Sequence, residues 1–278
     1  MIKVEDLNNQ NTVTLNPTTF PDGTKLIKYN PTFVDGAYRI TWLYDNDAEL
    51  FQLIALVKHL KSKARCRIWL NLPYVPNARM DRVKNSDEVF TLKAFADTIN
   101  WLGFEGVTIC NPHSTVSEAL FDRVDVDFDC VYGDVKYILG TSLNKIDVLY
   151  FPDAGAQKRL GELLNGFNLP YMYGEKIRDW KTGEIKGLKI NNPANVQCKT
   201  ALIIDDIISY GGTVFYSTLE LQKLGIKTIY VYATHCEDSI MDPIKGKLLK
   251  LDCIKNIFTT NSIFRGVGNH KIKIIREF

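Results

Sequence analysis

The stretch from Ala201 to Thr213, Ala-Leu-Ile-Ile-Asp-Asp-Ile-Ile-Ser-Tyr-Gly-Gly-Thr, constrains this chain more than any other. An apolar run of strand character ends in two adjacent carboxylates, Asp205 and Asp206. After Ile207 and Ile208 comes a short loop, Ser209, Tyr210, Gly211 and Gly212, and Thr213 opens a helix-like segment. A buried strand followed by a helix delivers both acids to the carboxyl edge of a sheet, where open α/β folds bind ligands. Glycines let backbone N–H groups approach an anion closely, and the helix N-terminus adds a favourable dipole. Acids suited to sugar hydroxyls or a metal, beside a cradle for phosphate, describe a site for a phosphorylated sugar.

The rest of the chain fits such a fold. Tyr38–Tyr44 reads as a strand, Ala48–Lys61 as an amphipathic helix and Cys66–Leu72 as a strand. Thr91–Leu102 reads as a helix and Gly106–Cys110 as a strand. Val148–Phe151, Ala156–Leu164, Ala201–Ile204, Thr213–Leu224 and Thr228–Ala233 continue the alternation. Such alternation predicts an α/β fold with mostly parallel sheets covered by helices on both faces. Two series of this kind meet near Gly133–Gly140 and predict two domains, 1–138 and 139–278, the second carrying the acid pair. The last residues of the chain are expected to pack on the first domain. Gly174–Lys199 breaks the pattern, with a hairpin-like Thr182-Gly183 turn, and reads as a loop or β-flap. Lys271–Ile275 reads as an edge strand.

Lysine and arginine total 34 against 32 acids, so net charge implies no polyanionic partner such as a nucleic acid. No apolar run is long enough to span a membrane, and no signal-peptide pattern opens the chain, so a cytoplasmic location is expected. The six cysteines are scattered without a C-x-x-C pair, and the expectation is reduced core thiols.

The 201–213 stretch resembles the phosphoribosyl-pyrophosphate loop of the type I phosphoribosyltransferase fold. Four more segments narrow the resemblance. Pro73-Tyr74-Val75-Pro76-Asn77-Ala78-Arg79-Met80-Asp81-Arg82 and Pro152-Asp153-Ala154-Gly155-Ala156-Gln157-Lys158-Arg159 are similar to two segments of ribose-phosphate diphosphokinases. Phe20-Pro21-Asp22-Gly23 resembles their Phe-Ser-Asp-Gly turn, and Asn111-Pro112-His113 falls where they carry Asp-Leu-His. All occur in the family's order. The resemblance implies two type I phosphoribosyltransferase-like domains and an ATP-dependent transferase. It would pass the β,γ-diphosphoryl group of Mg-ATP to the anomeric 1-hydroxyl of a ribose 5-phosphate unit, releasing AMP.

The resemblance also implies roles. Asp205 and Asp206, with Ser209, Tyr210, Gly211, Gly212 and Thr213, would bind the sugar phosphate. Phe20, Asp22, Arg79, Asp81, Arg82 and His113 would bind ATP, and His113 and Asp153 would hold Mg2+. Lys176 and Arg178 would be the catalytic cations of a closing loop. Because the Phe20 turn serves a neighbouring subunit in the family, a homo-oligomer, dimer or hexamer, is implied. Simpler readings stay open for several of these: Asp153 as a helix N-cap, Asp22 as part of a β-turn, Lys176 and Arg178 as solvated charge.

The chain departs from the family's pattern at Ser209 and Tyr210, where a third acid and a threonine are usual, and at Thr24, Met80 and Asn111. A phenol beside the phosphate cradle suits either capping of the phosphate or stacking on a group attached beyond it. ADP-ribose is therefore an alternative acceptor, and the chain also resembles phage-associated relatives that act on it in NAD regeneration. A phosphoribosyltransferase and a catalytically silent regulatory subunit are the remaining alternatives.

Overall fold

The computed structural model describes residues 1–29, 35–142, 145–178, 185–191, 198–267 and 269–278, and these form two compact units, Met1–Phe128 with Phe278, and Asp129–Glu277. The junction region read as Gly133–Gly140 is helical and belongs to the opening helix of the second unit.

In the first unit, β1 (Ile2–Asp6), β2 (Thr12–Thr14), β5 (Gly36–Trp42), β6 (Cys66–Leu72), β7 (Gly106–Cys110) and β8 (Val124–Asp127) form one sheet in the order β2-β1-β5-β6-β7-β8. The β1 pairings with β2 and β5 are antiparallel, and β5 through β8 run parallel. Helices α1 (Ala48–Lys63) and α2 (Thr91–Leu102) pack their leucine-rich stripes, Leu53, Leu56, Leu60, Leu92 and Ile99, onto one sheet face. That face contributes the alternate residues Tyr38, Ile40, Trp42, Ile68, Leu70 and Leu72, as a strand period of two requires. The opposite face carries Arg39, Trp69, Asn71 and Thr108, which line a cavity of about 300 Å³. Beside the sheet, β3 (Thr18–Thr19) and β4 (Lys25–Leu26) make a small hairpin, and α3 (Thr115–Leu120) follows β7.

The second unit opens with α4 (Asp129–Thr141). Its sheet contains β9 (Val148–Phe151), β10 (Tyr171–Arg178), β11 (Ile185–Asn191), β12 (Thr200–Ile208), β13 (Thr228–Cys236), β14 (Ile254–Thr260) and β15 (Ile272–Arg276). Their order is β11-β10-β9-β12-β13-β14-β15, parallel throughout except for the β10–β11 hairpin. The two central strands, β12 and β13, are buried along nearly their whole length, as parallel strands covered on both faces are. Helix α6 (Gly212–Lys223) packs Val214 and Leu221 with Tyr150, Ile203 and Val231 of one face, and α5 (Ala154–Leu164) follows β9.

The closing segment extends the second sheet, with β15 pairing Ile272 with Ile257 and Ile274 with Thr259. The thiols of Cys66, Cys198, Cys236 and Cys253 are free, but Cys110 and Cys130 are not, so six reduced cysteines do not occur. Among the described residues, no helix is long and apolar enough to cross a membrane.

Candidate active site

The acid pair sits within β12 rather than after it. Ile207 and Ile208 carry on the ladder with β13, pairing with His235 and Cys236, while Asp205 pairs with Ala233. On the other side the β9 ladder ends earlier, at Ile203 opposite Tyr150. Asp205 and Asp206 therefore stand one and two steps beyond the carboxyl end of β9, at a notch in the sheet edge. They are 8% and 4% exposed.

Neighbouring positions on a strand point to opposite faces, so the two acids meet different surroundings. Asp206 faces α5, where Arg159 Nη2 donates to its Oδ1 at 3.4 Å. Asp205 lies on the face shared with Tyr150 and Ile203, and its Oδ1 accepts the Asp206 backbone N–H at 3.0 Å. Burial pushes the Asp205 carboxyl well above the usual carboxylate range, and the charges of Asp206 and Asp153 act in the same direction. Tyr150 is pushed up to about 12 by burial, against its hydrogen bond to Ser217 at 3.2 Å, with Asp153 and Asp205 adding to the shift.

Asp153 opens α5, where its Oδ1 accepts the Ala156 N–H at 2.9 Å. The helix-capping reading is thus realised, and the same carboxylate contributes to the acidic field at Asp205. Arg159 lies six residues past that cap, on the same helix. Its position one helical turn beyond Gly155 is what carries its guanidinium to Asp206.

The loop after β12 turns into α6 through Gly211, whose φ of +81° is left-handed and favours glycine. A Cβ there would approach Leu248 to 3.0 Å, so close packing also demands glycine. Gly212 faces open space. No side chain caps the first turn of α6, so N–H groups at that terminus are directed outward. Ser209 Oγ lies 3.1 Å from Ser239 Oγ, which donates to Glu237 Oε2 at 3.0 Å. Tyr210 is 40% exposed, with Lys245 Nζ 4.9 Å from its ring centroid. Thr213 is half-buried in the first turn. Glu237, Ser239 and Lys245 escaped the sequence reading because they follow another strand and carry no motif.

Lys176 and Arg178 lie on β10, opposite Leu188 and Ile185 of β11, with a register irregularity between Ile177 and Arg178. The Thr182-Gly183 turn lies outside the described residues.

The remaining candidates belong to the first unit. Arg79, Asp81 and Arg82 follow β6 through a turn in which Asn77 has a φ of +64° and its carbonyl accepts the Met80 N–H. Arg82 grips Asp81 with two bonds, Nε to Oδ1 at 2.9 Å and Nη2 to Oδ2 at 3.2 Å. That bond holds the Asp81 carboxyl below its ordinary value, helped by the charge of His113 from the loop after β7. The two loops thus bring Asp81 and His113 together at one sheet edge. Phe20 is exposed on the β3–β4 hairpin, and Asp22 Oδ1 is engaged by the Thr24 N–H and hydroxyl at 3.0 and 2.7 Å. Those bonds lower the Asp22 carboxyl, the hydroxyl bond most.

A doubly built α/β chain, with adjacent acids and a glycine-gated helix start at the carboxyl edge of its second sheet, is a protein of the type I phosphoribosyltransferase-like class. Comparison with known proteins narrows the class. No family model matches the chain. A ribose-phosphate pyrophosphokinase of Mycoplasma genitalium is 31% identical over 240 residues, 84% of this chain and 68% of that protein. Its counterpart from Thermococcus kodakarensis is 30% identical over 219 residues, 78% of this chain and 75% of that protein. That of Saccharolobus solfataricus is 26% identical over 249 residues, 88% and 82%. A phosphoribosylpyrophosphate synthetase from Mycobacterium smegmatis superposes with a TM-score of 0.75 over 94% of this chain and 85% of that one, at 20% identity. The chain belongs to the ribose-phosphate pyrophosphokinase family, and it is a transferase.

Proposed function

We propose that the protein is an ATP-dependent diphosphokinase that converts ribose 5-phosphate to phosphoribosyl pyrophosphate. The anomeric hydroxyl oxygen attacks the β-phosphorus of ATP. The bond from that phosphorus to the α–β bridging oxygen breaks, AMP departs with the bridging oxygen, and the hydroxyl proton passes to solvent. Such a transfer needs positioning and charge neutralisation rather than a covalent nucleophile.

The observation that carries this reading is the buried pair Asp205–Asp206, set at a sheet notch directly before an uncapped helix start. The acids accept from the ribose 2- and 3-hydroxyls, and the N–H groups of Gly211 to Thr213 with the Ser209 hydroxyl take the 5-phosphate. The surroundings of Asp205 suit a hard cation, because Asp206 and Asp153 both oppose its ionisation and all three offer oxygen ligands. Mg2+ bound there would supply charge to ionise Asp205 and to offset the phosphates. His113, with Asp81 and Arg82 nearby, and Arg79 serve Mg-ATP, with Phe20 and Asp22 contributing to a neighbouring subunit. Lys176 and Arg178 neutralise the transferring group.

A second reading is the same chemistry on ADP-ribose. It is favoured by the exposed Tyr210 ring beside the cradle, a surface on which a group esterified to the 5-phosphate can lie. Incubation with Mg-ATP and each acceptor separately, with chromatography of the nucleotides, decides. AMP formed with ribose 5-phosphate supports the first reading, and AMP formed with ADP-ribose alone supports the second. No AMP with either overturns both. Lys176→Ala is expected to lower kcat far more than it weakens acceptor binding, and equal loss of both would remove Lys176 from the transfer step.

A further inference from the structure

The segment after β13 does more than connect strands. Asp242 Oδ1 accepts the N–H groups of Ile244 and Lys245 at 2.9 and 2.7 Å, and the Gly246 N–H donates to the Asp242 carbonyl at 2.8 Å. A Cβ at Gly246 would fall 2.2 Å from the Ile240 carbonyl oxygen, so this turn closes only around glycine. Leu248, at its far end, is fully buried and presses on Gly211. The turn is thereby clamped to the loop that opens α6. Its Lys245 projects an ammonium group over the Tyr210 ring, 4.9 Å from the centroid. Tyr210 directly precedes Gly211, so a cation is parked on an aromatic platform at the rim of the uncapped helix start.

We infer that Lys245, held on Tyr210, is a further binding residue for the phosphate of the acceptor. The inference rests on the functional reading above. An ammonium on a four-carbon stem can leave a ring face for a phosphate oxygen a short distance away, and the ring keeps it at the rim until then. The arrangement offsets the loop's composition: Ser209 to Thr213 contain no cation, so the loop itself offers only dipoles and hydroxyls to a dianion. Lys245 adds the missing point charge.

The test uses the full-length protein and whichever of ribose 5-phosphate and ADP-ribose it turns over faster. Lys245→Met is expected to raise the acceptor KM about tenfold, with kcat and the KM for ATP unchanged. Lys245→Arg is expected to restore most of the affinity. The gap between wild type and Lys245→Met should narrow as salt is raised, because the lost contact is a solvent-exposed charge pair. Tyr210→Leu, which removes the platform but not the ammonium, should raise the acceptor KM by a smaller factor. An unchanged acceptor KM in Lys245→Met overturns the inference and leaves the functional reading standing, as does a parallel loss of kcat and of ATP affinity. If calorimetry shows wild type binding neither acceptor, the functional reading fails and the inference with it.

Discussion

Arg159 reaches from α5 to Asp206 across 3.4 Å, and this contact balances one of two adjacent carboxylates buried at the edge of the second sheet. Breaking a buried ion pair from one side leaves the other charge uncompensated, at a cost of about 3 kcal/mol. Arg159→Met should therefore lower the melting temperature by several degrees. If the acids also receive a divalent cation, added Mg2+ should recover more stability in Arg159→Met than in wild type, since the ion replaces the missing positive charge. Thermal melts with and without Mg2+ check both points. Equal Mg2+ effects in the two proteins would separate Arg159 from the cation site.

Asp205 makes a prediction of opposite sign. Its folded carboxyl sits well above the ordinary value of 3.8, first because it is buried and next because of Asp206. The folded protein thus holds a proton that the unfolded chain has already released, and stability falls as pH rises from about 4 through the raised value. Asp205→Asn keeps an oxygen for the Asp206 N–H and has no charge to bury. Its melting temperature should exceed that of wild type by a few degrees at about pH 8, and the gap should close near pH 4. Acceptor turnover should be lost. A constant gap at all pH values would show that ionisation of Asp205 is not what costs stability.

The acid–glycine stretch was legible in the sequence because its chemistry and its backbone demands coincide in thirteen consecutive residues. The strand ends were less so. Ile207 and Ile208 prolong β12 because β13 continues beside them, which the apolar run to Ile204 alone does not reveal. The Gly174–Lys199 stretch resolves partly into β10 and β11, an antiparallel pair at the sheet edge whose Lys- and Gly-rich composition hides its pattern. Arg159 and Lys245 were invisible as site residues for a different reason. Each reaches the acids or the loop only through a neighbouring element, and side-chain reach across elements is a tertiary property.

The two loop glycines should respond differently to alanine. At Gly211 a Cβ meets the φ of +81° and the Leu248 side chain at 3.0 Å, so Gly211→Ala should cost about 1–2 kcal/mol and raise the acceptor KM. At Gly212 a Cβ enters open space, and stability should stay within about 0.5 kcal/mol of wild type. Denaturant titration of the two variants, side by side, provides the comparison. Similar losses at both positions would mean that the loop backbone, not the Leu248 contact and left-handed φ, limits substitution.

A last prediction concerns a network away from the loop. Asp134 of α4 is buried and accepts from Arg276 Nε at 2.9 Å and from the Tyr232 hydroxyl at 2.9 Å, while Arg276 Nη2 also donates to the Cys130 carbonyl at 3.2 Å. The carboxylate and burial together push the Tyr232 phenol upward, burial most, so the hydroxyl stays a donor across the working pH range. Through Arg276 the final strand is tied to the first helix of its unit. Arg276→Ala removes the cation bonded to the buried Asp134 carboxylate and should cost about 3 kcal/mol. Acceptor and ATP KM values should be unchanged below the melting transition, because Arg276 bonds Asp134 and the Cys130 carbonyl on α4. Asp134→Asn in the Arg276→Ala background should regain part of the loss, since a neutral amide still bonds Tyr232. If the double variant is no more stable than Arg276→Ala, the buried charge is not the source of the cost.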